Sequence, residues 1–401
     1  MRVFLAVYQK RTERIRKYLA ESDLTSLAVL DGLNTIYVSG LLFELPTRER
    51  PAATVIPVDS EPFMILDELS VNLYQYGLEK NRHWIRDVRH YDEHPRITKR
   101  RYYTREFPLL LSETLEEKGI VKGRIGVDSS QSVFEMWVKP YLPDLQVVDA
   151  GKILREMRLI KDEYELDLIR KAAELSDWGQ EKMKQTIKAE KTHVGIGYEV
   201  AHLVAEEAAR RYPADYSIEV STVGFTGTGP EEGASPYGWS RPSGRKLQKG
   251  DSLPDEVSVR LNKYWAENER TFFIGRPTEK QKRLFDVMTE AQRKGIEMCV
   301  EGNKVSDIDG GALKVIEDAG LEDYVLHRTG HGIGLGGHEY WEDMSFNHRI
   351  MKTGMVTTVE PALYLRGSGG FRHSDTVIIG RDRPEVTTKY TKELEDLIVQ
   401  A

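Results

Sequence analysis

The chain has 401 residues, more than one ordinary core takes up, so two domains are expected. Hydrophobic residues make up 40%, charged residues 30%, and the net charge is −7. That balance argues against a nucleic-acid partner, an anionic membrane surface and a bilayer-spanning chain. The single cysteine, Cys299, excludes a disulfide framework and a cysteine metal site. The first residues carry no signal-peptide pattern, and a cytoplasmic setting is expected.

In chain order, "YQKRTERIRKYLAES" reads as a helix with Ile15 and Leu19 on one face. "LTSLAVL" reads as a buried strand, "DGLNTIYVSG" as a turn leading to another strand, and "RIGVDSS" as a further strand and turn. Between them, 92–108 is polar and basic; it reads as a solvated loop, with a cationic lid over an acidic ligand as the alternative. A boundary is expected near 155, giving an α/β domain over 1–155 and a second domain over 156–401. "GKILREMRLIKDEYELDLIRKAAELS" opens the second domain with a long amphipathic helix, acidic at its start. "VGIGYEVAHLVAEEAARRY" is the next helix, followed by a glycine-rich stretch over 223–251. Its glycines do not join a strand to a helix as a dinucleotide or phosphate loop requires.

A β-hairpin follows, turning at Leu261-Asn262-Lys263 and carrying Glu256 and Glu267 eleven residues apart. Two more helices, in 279–300 and 305–321, lead to "LHRTGHGIGLGGHE", "TVEPALYL" and "GGFRHSDTVIIG". The second domain thus repeats helix, helix, extended pair. A pseudo-twofold arrangement would bring Glu256, Glu267, Glu360 and Ser374 to its centre. Paired carboxylates can hold a divalent ion, hold a cation, or divide acid and base roles; equally, the hairpin face can be merely solvated. His327, His331 and His338 among glycines shift the balance toward acid–base work or coordination.

The motifs "GHGIGLGGHE", "VEPALY" and "GGFRHSDTV", with "LAVLDGLNTIYVSG" near the start, resemble the pita-bread hydrolases: aminopeptidase P, prolidase and creatinase. The resemblance covers nearly the whole chain. It implies a creatinase-type N-terminal α/β domain, a pseudo-twofold α+β catalytic domain, and a homodimer. The family's metallopeptidases bind two metals through two Asp, one His and two Glu. Position by position these fall on Glu256, Glu267, His331, Glu360 and Ser374. Two acids are longer by a methylene and the last is a hydroxyl; Asp375 is expected on the opposite strand face.

The resulting expectation is a metal-independent hydrolase of a C–N bond in a small nitrogenous compound, similar to creatinase or ectoine hydrolase, with no cofactor. Glu256, Glu267, His331 and Glu360 are the expected catalytic groups, and Glu256 is the candidate for a covalent acyl intermediate. Tyr237, His327, His338 and Arg372 are expected to bind substrate. The first alternative is an Xaa-Pro dipeptidase or aminopeptidase P-like enzyme acting on short peptides. Its single Mn²⁺ or Zn²⁺ would be held by Glu256, Glu267, His331 and Glu360. The second is a non-catalytic binding protein.

Overall fold

The computed structural model describes residues 2–42, 50–92, 103–212, 216–222, 227–236, 244–340 and 343–400. They form two compact units, Met1–Arg158 and Leu159–Ala401. Tyr237 and most of the basic stretch, 93–102, lie outside the described residues. No helix among the described residues is long and apolar enough to cross a membrane.

In the first unit a six-stranded mixed sheet carries helices whose apolar faces bury Phe107, Leu111 and Phe134 against Val55, Phe63 and Ile65. Residues 103–108, expected within a loop, instead open the helix Tyr103–Glu117. "DGLNTIYVSG" also differs from expectation: Gly32–Ser39 is a helix. Asp31 caps it by accepting from the Asn34 N–H, and Gly40 ends it in the left-handed region at φ 80°. Those caps outweigh the β-branched run that favours a strand.

The second unit repeats a pattern. Helices Glu163–Thr186 and His193–Arg211 precede strands between Ser252 and Ile274; helices Glu279–Glu297 and Val305–Asp318 precede strands between Val356 and Ile378. Asp162 and Glu165 cap the first helix reciprocally, which sets its start. Asn268–Ile274 is central in the sheet. It pairs antiparallel with Ser252–Glu256 on one side and with Ser374–Ile378 on the other, and the latter pairs with Val356–Val359. The register places Glu269 opposite both Glu256 and Ser374. Side chains directly opposite in antiparallel strands share a face, so one row of polar groups crosses the sheet. This matches the resemblance: a creatinase-type N-terminal domain followed by a pita-bread catalytic domain.

Candidate active site

The acidic hairpin is built by a two-residue turn. Asn262 and Lys263 both adopt positive φ, 48° and 72°, between the paired Leu261 and Tyr264. Val257 and Glu267 interrupt the strands on either side of it. At Glu267 the Thr376 hydroxyl accepts from the backbone N–H at 2.8 Å and donates to the carbonyl at 2.9 Å. That holds the residue out of the ladder while satisfying its main chain.

The histidine loop is clamped to the Val356–Val359 strand. Thr358 N–H donates to the His331 carbonyl at 2.8 Å, and His331 N–H donates to the Thr358 hydroxyl at 3.0 Å. A Cβ at Gly330 would stand 2.2 Å from the Thr358 carbonyl oxygen, so only glycine permits this approach. Pro361 ends the strand just after Glu360, and the Glu360 N–H turns to the Thr329 carbonyl.

These elements bring Glu267, His331 and Glu360 together, with one potential ligand atom from each inside a group spanning 4.8 Å. His331 Nε2 lies 3.6 Å from Glu267 Oε2 and 3.3 Å from Glu360 Oε1. His331 Nδ1 is 3.0 Å from the Gly332 carbonyl, which can only accept, so Nδ1 carries the proton. Burial holds this imidazole below its ordinary pKa and hence neutral. Its Nε2 lone pair therefore faces two carboxylate oxygens, with no proton of its own to bridge them. Burial, then the neighbouring Glu360 and Glu256 charges, push Glu267 well above the usual carboxylate range. Burial also penalises ionised Glu360, but the Arg372 guanidinium, 3.8 Å from its Oε2, helps hold it low. A neutral imidazole fixed by a second-shell carbonyl, plus two adjacent carboxylates, is a donor set that fits a divalent cation.

The other expected residues surround this group. Glu256 lines the same cavity, and Ser258 Oγ donates to its Oε1; it stands outside the three-donor cluster. His338 stacks on His331 with ring centroids 3.6 Å apart. His327 Nδ1 donates to the Arg328 carbonyl at 2.7 Å, leaving Nε2 to accept from the Tyr364 hydroxyl at 3.0 Å. Arg372 makes a buried ion pair with Glu269 and lies 3.8 Å from Glu360 Oε2. Ser374 Oγ donates to Glu267 Oε1 at 2.7 Å. Asp375 turns away, as strand alternation requires, and pairs with Arg270 at 2.8 Å.

Three participants escaped the sequence reading. Glu269 is fully buried, and burial pushes its carboxyl up to about 8 against the pull of Arg372. Its signal was present, since Glu267-x-Glu269 puts both acids on one strand face. Arg328 lines the cavity; its Nε donates to the Gly330 carbonyl at 2.9 Å and its Nη2 sits 3.4 Å from His338 Nδ1. No carboxylate pairs with it among the described residues. Tyr364, on the strand after Pro361, had no local signature. The cavity measures roughly 320 Å³ and also touches Leu326 and Pro236.

Residues 167–381 match metallopeptidase family M24, and residues 11–160 match the creatinase/prolidase N-terminal domain. The chain belongs to family M24. Two curated relatives each cover 96% of it. A putative dipeptidase, YkvY, of Bacillus subtilis is 28% identical over 386 residues, covering 96% of this chain and 99% of that one. An Xaa-Pro dipeptidase of Pyrococcus furiosus is 25% identical over the same shares. The crystal structure of dipeptidase PepE from Mycobacterium ulcerans superposes with a TM-score of 0.79, at 25% identity and 99% coverage of both chains. An M24 chain is a peptidase by family, a hydrolase of C–N bonds. The family and the donor cluster fit the divalent-cation alternative better than the expectation of no cofactor, and the peptidase alternative better than a metal-independent small-amide hydrolase.

Proposed function

We propose that this protein hydrolyses Xaa-Pro dipeptides at a divalent-cation centre formed by Glu267, His331 and Glu360. One observation carries the reading: the His331 Nε2 lone pair and one oxygen each from Glu267 and Glu360 converge on one place, a donor set suited to a divalent cation. A Mn²⁺ or Zn²⁺ ion there would supply positive charge that polarises the scissile carbonyl and acidifies water.

The chain's own groups bind and orient the substrate. Glu256 sits in the acidic wall, where its carboxylate suits the ammonium of a short peptide. Arg328 lies on the same cavity's lining with no carboxylate partner among the described residues, and suits the peptide's terminal carboxylate. A cavity of about 320 Å³ with both charges in its walls matches a small zwitterion better than a long chain. His327, neutral and fixed by Tyr364, can take a proton at Nε2 from the attacking water and return it to the leaving nitrogen. The homodimer implied by the resemblance belongs to the same reading.

The Ser374 hydroxyl bound to Glu267 favours a second reading, metal-independent cleavage of a small nitrogenous compound. Chelator-dialysed protein assayed on Xaa-Pro dipeptides and small amides, with and without Mn²⁺, separates the two. The proposal predicts dipeptide hydrolysis that vanishes on dialysis and returns with Mn²⁺. Small-amide hydrolysis indifferent to chelator would replace it with the second reading.

A further inference from the structure

Three carboxyl groups, Glu256, Glu267 and Glu360, face one cavity and offer oxygens enough for more than one divalent ion. We propose that the centre takes a single ion because the Arg372 guanidinium, clamped by Glu269, already fills the second cationic position. The inference rests on the metallopeptidase reading above and adds to it the ion count and the residues that set it.

The oxygens of the cluster are already divided. Glu360 Oε1 and Glu267 Oε2 both face His331 Nε2, at 3.3 and 3.6 Å, and bound the place for one ion. Their outward partners are occupied. Glu360 Oε2 faces Arg372 Nη1 at 3.8 Å, and Glu267 Oε1 accepts the Ser374 hydroxyl proton at 2.7 Å. A second ion sharing these two carboxylates would have to displace a guanidinium and a proton donor from their lone pairs.

Arg372 is not a mobile side chain that an ion could push aside. Its Nε pairs with Glu269 Oε2, and its Nη1 lies 3.5 Å from the Tyr364 hydroxyl. Its backbone is tied to Thr271 through N–H and carbonyl, at 2.9 and 2.8 Å. Glu269 is wholly buried opposite both Glu256 and Ser374, and its Oε1 has no hydrogen-bond partner among the described residues. Arg372 is thus the one hydrogen-bond partner of the Glu269 carboxyl among the described residues, and moving it would leave a buried carboxyl unsatisfied. Arg372 acts here as a positioning residue, holding Glu360 Oε2 and excluding a competitor.

The test counts ions. Protein stripped with chelator, reloaded with Mn²⁺ and freed of excess is analysed for Mn by mass spectrometry, as wild type and as Arg372→Met. The expected result is one ion per chain in wild type and about two in the variant, where Glu269 and Glu360 Oε2 both lack a cation. Two ions in wild type would overturn the inference and leave the metallopeptidase reading standing; none would overturn both. One ion in a folded Arg372→Met protein would remove Arg372 from the role. Should that variant fail to fold, the electron paramagnetic resonance of Mn²⁺-loaded wild type still decides. An isolated-ion spectrum agrees with the inference, and a spin-coupled pair contradicts it.

Discussion

His331 and Arg328 sit three positions apart and do opposite work. His331 is fixed through Nδ1 to the Gly332 carbonyl and offers a lone pair to the acidic cluster. Arg328 brings positive charge to the cavity lining and has no carboxylate to spend it on among the described residues. If Arg328 receives the substrate's carboxylate, Arg328→Gln raises KM for an Xaa-Pro dipeptide roughly 10- to 100-fold with kcat nearly kept. That range follows from about 1.5–3 kcal/mol for a hydrogen bond to a charged group. A dipeptide amide, which lacks that charge, gives similar KM values with wild type and variant. Equal KM values for the free dipeptide would dismiss this role. At this scale the sequence exposed the histidines and Glu360, because glycine-rich spacing and Pro361 single them out. Arg328 was hidden by its exposed-looking neighbours, and Glu269 by attention to the eleven-residue spacing of its partners.

The central strands set the site's geometry by register. Asn268–Ile274 presents Glu269 to the polar row on one face and Arg270 to Asp375 on the other. Arg270 and Asp375 are both wholly buried, and Lys392 and Thr388 add contacts to the carboxylate. Burial alone would raise the Asp375 pKa, but Arg270, then Lys392 and Thr388, hold it down to about 2. A depressed folded-state pKa gives stability that is present above the unfolded value, near 4, and is lost as pH falls through the folded one. Asp375 therefore contributes on the order of 2 kcal/mol that disappears between about pH 4 and pH 2. Acid titration of Asp375→Asn, followed by circular dichroism, should show a lower stability at pH 6 and a shallower loss below pH 4. A variant as stable as wild type at pH 6, with an unchanged acid limb, would refute it. The alternation that turns Asp375 from the cluster was readable from sequence, since period two admits no other facing. The helix Gly32–Ser39 was not, because Thr35, Ile36 and Val38 mimic a strand and only the caps at Asp31 and Gly40 reveal it.

Across the molecule, the repeated helix–helix–strand pattern was legible because amphipathic periodicity marks Leu284, Val287, Met288 and Ala291 as inward; Leu284, Met288 and Ala291 are buried and Val287 is half-buried. The resemblance to pita-bread hydrolases was equally legible from three motifs in order. Whether a cation belongs in the centre was not, since the answer lies in which oxygen each partner occupies. A methylene more on Glu267 argued against an ion, yet the strand interruption at that residue sets its carboxylate beside His331 and Glu360. The central claim is that these three residues hold a divalent ion. Anomalous X-ray scattering at the Mn edge, from crystals grown with Mn²⁺ and a poor substrate analogue, tests it most directly. The account predicts one strong peak enclosed by Glu267, His331 and Glu360; a peak absent from that place, in crystals of protein that still cleaves Xaa-Pro dipeptides, would contradict it.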